Sequence, residues 1–207
     1  MSRWSEATQE RARRLVERYP ERRSAVMPLL YLAMAEEGRL TDDGVAEVAR
    51  WCGITPAQVQ AVASFYTMYK REKTGTYLIS CCTSLSCMLL GGDEVLEAVE
   101  DESGVPHGET DDEGLISVEH VECIGACGGA PAVQVNYELI EGVTPDKARE
   151  LVRWLKGARP KVVLGDEMQE LFGGRRSFDW AIPEELGATG PYPAFQPFGT
   201  AAREGTE

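Results

Sequence analysis

Only two histidines occur in the 207 residues, and no apolar run is long. The longest, 25–35, contains Pro28 and is flanked by Arg23 and Glu36. That is far short of the roughly 20 apolar residues a membrane-crossing helix needs. The N-terminus places Arg3, Glu6, Glu10, Arg11, Arg13 and Arg14 where a secretory signal would carry its apolar segment. The chain is therefore expected to be cytosolic, or held at a membrane through a partner. No Cys-x-x-Cys is present, which argues against thioredoxin-type disulfide exchange. No Gly-x-Gly-x-x-Gly follows a candidate strand and there is no Walker loop; Leu89-Leu90-Gly91-Gly92 fits neither pattern. Dinucleotide binding is not expected of this chain.

Basic charge is scarce, and its distribution is uneven. Residues 1–73 hold 12 basic and 10 acidic side chains, residues 74–157 hold 4 and 16, and residues 158–207 hold 5 and 8. Nearly all of the net charge of −13 thus falls on the middle segment. Nucleic acid is excluded as its partner, because phosphate binding needs the opposite sign. An acidic face suits docking onto a basic protein, and part of it, such as Glu109, Asp111, Asp112 and Glu113, serves solubility.

Six cysteines are present, and four of them fall into two close pairs on that acidic segment. Cys82 and Cys87 bracket Thr-Ser-Leu-Ser, and Cys123 and Cys127 bracket Ile-Gly-Ala, with thirty-five residues between the pairs. In a reducing compartment such pairs hold metal rather than form disulfides. Thiolates are soft ligands, so four from two loops suit a structural zinc or an iron–sulfur cluster. The second pair lies in a glycine-rich run, 124–131, able to turn tightly and to aim the N–H groups of Gly125, Gly128 and Gly129 at a negative centre. A [2Fe-2S] cluster is the favoured occupant. Cys81 adjoins Cys82 but points to the opposite strand face, so it is expected in the core, as is Cys52. A Rieske-type centre needs two histidines on one iron; four cysteines already suffice, and His107 and His120 read as structural. Phe65, Tyr66 and Tyr69 are expected in the core at helical spacing.

Patterning divides the chain into a helical and a mixed part. Helices are expected over 6–18 behind Ser5, over 24–37 up to Gly38, over 42–51 behind Thr41, and over 57–69 behind Thr55-Pro56. After Gly75 come a strand at 77–80, a helix over 85–99 and a strand at 115–118. A hairpin of 132–136 with 138–140 and a helix over 146–155 behind Thr144-Pro145 follow. Beyond 157, Gly173-Gly174, Pro183, Gly187, Gly190, Pro191, Pro193, Pro197 and Gly199 predict an extended tail with one helical turn near 167–171.

Cys82-Thr83-Ser84-Leu85-Ser86-Cys87-Met88-Leu89, then Val121-Glu122-Cys123-Ile124-Gly125-Ala126-Cys127 with Ala130-Pro131 and Val135-Asn136, resemble the thioredoxin-like [2Fe-2S] ferredoxin subunit family of respiratory NADH:quinone oxidoreductase, complex I. Ala63-Ser64-Phe65-Tyr66-Thr67-Met68-Tyr69 resembles that family's helical-domain signature. The chain departs from the family in Ser86, commonly proline, and Leu90, commonly arginine; neither is a ligand position. The resemblance covers about 10–157. It implies an α/β (α+β) chain, with an N-terminal helical bundle over 1–73 and a thioredoxin-like domain over 74–157. The tail over 158–207 falls outside the resemblance and is expected to order on a partner, its aromatic anchors being Phe172, Phe178, Trp180, Tyr192, Phe195 and Phe198.

The resemblance also implies one [2Fe-2S] cluster ligated by Cys82, Cys87, Cys123 and Cys127, with FMN and NADH on a flavoprotein partner rather than here. A large iron–sulfur subunit is expected beside them in a complex on the cytoplasmic side of the plasma membrane. The surrounding acidity predicts a low reduction potential. An equivalent subunit of an NAD-linked hydrogenase or formate dehydrogenase is the alternative, and a zinc-stabilised interaction module is the rival from another class.

Overall fold

The structure, a computed structural model, describes residues 3–178, 186–193 and 200–202. Two compact units divide the chain, Met1–Lys73 and Thr74–Glu207.

The first unit is helical. Helix α1 (Glu6–Glu17) starts on Ser5, whose hydroxyl accepts the Thr8 N–H at 3.2 Å. A 3-10 turn at Arg22–Ala25 leads into α2 (Val26–Glu37), which ends at Gly38 in the left-handed region. Helix α3 (Asp42–Cys52) is capped by Thr41. Helix α4 (Pro56–Phe65) opens on a reciprocal capping box between Thr55 and Gln58. Each cap satisfies a backbone N–H that has no partner within its helix, so the starts follow from local chemistry. Leu29, Leu30, Leu32, Met34, Val48 and Val59 form the buried interior.

Helix α4 ends four residues earlier than its sequence pattern suggests, and this overturns one expectation. Tyr66 leaves the helix with an extended backbone, so Phe65, Tyr66 and Tyr69 do not share a helical face. Tyr69 alone is buried, its hydroxyl donating to the Met27 carbonyl at 3.1 Å. Phe65 is 78% exposed and meets Tyr66 edge-on.

The second unit is built on a four-stranded sheet of order β2-β1-β3-β4. Strand β1 (Tyr77–Cys82) runs parallel to β2 (Ile116–Val121), and antiparallel to β3 (Ala132–Val135), which pairs with β4 (Glu138–Glu141). Asn136 and Tyr137, both at positive φ, make the β3–β4 turn. Helices α5 (Leu85–Leu89) and α6 (Gly92–Ser103) form the crossover from β1 to β2. The single helix expected over 85–99 is thus two. Gly91 at φ +95 breaks it, and α7 (Pro145–Ala158) follows the hairpin. Tyr77, Ile79 and Cys81 on one face of β1 join Val95, Ala98 and Val99 of α6 and Leu151, Val152 and Leu155 of α7 in one core. The alternation of strand side chains sends Cys82 to the other face.

The segment after 158 differs from the extended tail expected of it. Helix α8 (Gly165–Phe172) buries Met168 and Phe172 in the same core, with Val163, and the Phe172 ring lies 5.6 Å from that of Trp154. Val163 exchanges two 2.9 Å backbone hydrogen bonds with Ala188 of β5 (Leu186–Ala188), which pairs with β6 (Thr200–Ala202). Glycines and prolines punctuate this stretch, but enough apolar side chains stand between them to complete the core. Phe178 is exposed and Tyr192 half-buried; Trp180, Phe195 and Phe198 lie outside the described residues.

Candidate metal centre

The parallel pairing of β1 with β2 aligns Cys82 with Val121, so both strands end side by side and release their loops at one end of the sheet. Cys82 is the last residue of β1, and Cys87 is the third of α5. Cys123 follows β2, and Cys127 opens a 3-10 turn, Cys127–Gly129. The loops are tied directly. The Thr83 N–H donates to the Val121 carbonyl at 3.3 Å, and the Ser84 hydroxyl donates to Glu122 at 3.2 Å.

The four thiols gather as two pairs. Cys82 and Cys87 are buried with Ala126 and Ala132, behind Ile124, Ala130 and Leu139, and hydrogen-bond one another. Cys123 and Cys127 are exposed, their sulfurs 3.4 Å apart, and Cys127 also bonds the Ser86 side chain. Cys127 lies within electrostatic reach of both Cys82 and Cys87. Burial pushes the Cys87 thiol up to about 11, against a backbone hydrogen bond to Ala132 that lowers it, and Cys82 raises it further. The hydrogen bond with Cys123 raises the Cys127 thiol. The Cys87 and Cys127 thiols thus resist ionising, and a cation held among the cysteines removes that resistance by binding the thiolates.

Among the described residues, no three His, Cys, Asp or Glu side chains stand close enough to hold a single ion. A tetrahedral zinc takes four ligands around one point, whereas a [2Fe-2S] cluster takes two thiolates on each of two irons. The two-and-two grouping fits the cluster.

Several other residues lie where the sequence pattern puts them. Cys81 is wholly buried on the core face, its thiol pushed up to about 12 by burial, and Cys52 is buried at the end of α3, pushed up to about 11. His120 stands on β2 with its ring 5.5 Å from that of His107, whose Nδ1 lies 2.7 Å from Glu100.

The glycine-rich run makes the expected tight turn, but the Gly129 N–H is engaged elsewhere. Gly125 has the positive φ, +93, that a tight turn demands. The Gly129 N–H is committed to the Ala126 carbonyl at 3.1 Å and does not donate to sulfur. Gly92 is the residue that sequence reading passed over. A Cβ there would stand 2.8 Å from the Cys82 carbonyl oxygen and 2.9 Å from that of Cys87, so only glycine lets α6 start against the first cysteine pair. The Gly91-Gly92 doublet was its only signal.

Residues 12–156 match the thioredoxin-like [2Fe-2S] ferredoxin family. One subunit of the NADH-quinone oxidoreductase of Mycobacterium tuberculosis strain H37Rv is 45% identical over 150 residues, 72% of this chain and 60% of that protein. The chain thus spans about three-fifths of the mycobacterial relatives' length. A subunit of the NADH-quinone oxidoreductase of Thermus thermophilus is 40% identical over 145 residues, 69% of this chain and 80% of that one. A crystal structure of an NAD+-reducing [NiFe]-hydrogenase in the air-oxidized state is similar in fold over 71% of this chain and 25% of its own, with a TM-score of 0.58 at 18% identity. Sequence, fold and paired thiols agree: the chain belongs to the thioredoxin-like [2Fe-2S] ferredoxin family, and that membership implies a [2Fe-2S] cluster.

Proposed function

We propose that this chain is an electron-transfer subunit of an NADH:quinone oxidoreductase, with Cys82 and Cys87 on one iron of its cluster and Cys123 and Cys127 on the other. The observation that carries the reading is the grouping of four thiols into two pairs at one end of the sheet. The 45% identity to a mycobacterial NADH-quinone oxidoreductase subunit supports the assembly. The hydrogenase likeness, at 18% identity, speaks for the fold alone.

A bound cluster supplies a one-electron store. The protein's own residues divide the rest of the work. Cys82 and Cys87, buried among alanines and Ile124, keep water from one side of the site. Cys123 and Cys127 open on the surface, where a partner's flavin could approach. Leu85, Met88, Leu89 and Leu90 stand exposed around the first pair, an apolar surface of the kind that a partner covers. The surrounding acidic side chains resist a further negative charge and so favour a low potential. FMN and NADH belong on the flavoprotein partner, with a large iron–sulfur subunit in the same complex. Among the described residues no helix is long and apolar enough to cross a membrane. The place proposed for the chain is therefore peripheral, on the cytoplasmic side of the plasma membrane.

The test is the purified full-length protein. It should be red-brown, with iron and acid-labile sulfide near two each per chain, as a Cys-ligated [2Fe-2S] cluster requires. It should also co-purify with a flavoprotein and be reduced when NADH is added to that complex. A colourless protein holding one zinc overturns the reading.

A further inference from the structure

The loop that carries Cys127 rests on Glu141, Gln169 and Ser177, three side chains that electron transfer as described above leaves without a role. Glu141 closes β4 and is 6% exposed. Its Oε1 accepts the Ser177 backbone N–H at 3.1 Å and the Ser177 hydroxyl at 2.5 Å. Gln169 of α8 clamps the same residue from behind. Its Oε1 accepts the Glu141 N–H at 2.7 Å, and its Nε2 donates to the carbonyls of Glu141 at 3.1 Å and Gly174 at 3.2 Å.

The cysteine loop sits directly on this floor. The Gly142 N–H donates to the Gly129 carbonyl at 2.5 Å. A Cβ on Gly129 would collide with the Glu141 carboxylate and stand 2.8 Å from the Arg175 carbonyl oxygen. One on Gly128 would stand 2.9 Å from the Ser177 hydroxyl. Neither glycine has a positive φ, so close approach, not backbone freedom, is what these positions require. Among the described residues, every hydrogen-bond donor to the Glu141 carboxylate is neutral. In a low-dielectric interior a carboxylate charge is felt by its neighbours.

We propose that Glu141 is a positioning residue for the Cys127 loop and a buried negative charge that lowers the cluster's reduction potential, with Ser177 as the latch that seats residues 173–177 against it. The proposal rests on the four cysteines holding a [2Fe-2S] cluster. Reduction adds one electron to a centre that is already negative, so a fixed carboxylate behind its loop opposes that step.

The test uses the full chain purified with its cluster. Glu141→Gln keeps an acceptor for Ser177 and removes the charge. The ratio of reduced to oxidised cluster at a fixed potential should rise at least tenfold, a midpoint about 59 mV higher for one electron. Ser177→Ala keeps the charge and removes the latch; release of iron to a chelator should quicken several-fold with the midpoint unmoved. Glu141→Asp draws the charge back from Ser177 and should also release iron faster, with the midpoint still low. It decides the matter if Glu141→Gln does not assemble a cluster. An unchanged midpoint in Glu141→Gln, an unchanged release rate in Ser177→Ala, or a Glu141→Asp midpoint as high as that of Glu141→Gln each overturns the proposal. Absence of iron and sulfide from the unaltered chain would instead overturn the cluster reading itself, before any variant is made.

Discussion

Removing the chain beyond Gly157 takes away α8, and the structure makes the consequence calculable. Val163, Met168 and Phe172 lie in the same core as Ile79, Val118 and Leu151. Fully burying an aliphatic or aromatic side chain of this size stabilises by roughly 1.5–3 kcal/mol. The three together are worth roughly 5–9 kcal/mol, on the order of the whole stability of a domain, about 5–15 kcal/mol. Truncation is therefore expected to leave the sheet unit unfolded or without its chromophore. Met168→Ala is the graded version. Met168 is wholly buried, and its loss should cost about 2–5 kcal/mol through lost transfer energy plus the cavity left behind. The assay is denaturant unfolding followed by the visible absorption of the cluster and by far-ultraviolet circular dichroism. Two separate transitions are allowed for, because a chain of two units with a cofactor need not unfold in one step. A truncated protein with an intact visible spectrum and an unshifted midpoint would refute the reasoning, and so would a Met168→Ala midpoint equal to that of the unaltered chain.

Two further perturbations bear on the site and its surroundings. Replacing Cys82, Cys87, Cys123 or Cys127 singly by alanine should lose or destabilise the cluster, read from the visible spectrum and iron content. Cys52→Ser and Cys81→Ser should keep it, and bleaching by Cys81→Ser but not by Cys82→Ser would place the ligand one residue earlier. Hydrogen bonds from the His107 backbone and ring hold the Glu100 carboxyl below its ordinary 4.5. Its stabilising effect is therefore complete above that value and is lost as the pH falls through the lowered one. Glu100→Gln should unfold with a smaller dependence on pH below 4.5 than the unaltered protein, and equal acid titration curves would count against the contact.

Helix starts were legible because a cap is local. Ser5, Thr41, Thr55 and Thr144 each accept an N–H three residues ahead, so residue identity and spacing suffice. Helix ends were less so. Aromatic residues at 65–69 have only middling helix propensity, and the bond from Tyr69 to the Met27 carbonyl, forty-two residues away in sequence, accompanies an extended Tyr66. In the crossover, Gly91-Gly92 interrupts a good apolar period. The reason lies in the Cys82 and Cys87 carbonyls against which Gly92 packs.

By itself the sequence pointed to a thiolate-bound centre and carried the order of elements as far as α7, apart from the break at Gly91. Four cysteines in two short pairs restrict the occupant to a thiophilic centre, and alternation along β1 separates Cys81 from Cys82 wherever that strand lies. Tertiary structure alone decided that the two thiol pairs meet at one end of the sheet and that α8 joins the core. It also decided the seating of the Cys127 loop on Glu141 and Ser177. These depend on residues 14 to 50 positions beyond Cys127, and contacts over such separations leave no period or local spacing in the chain; they exist only once β1 and β2 are in register and the hairpin has brought β4 beneath the loop.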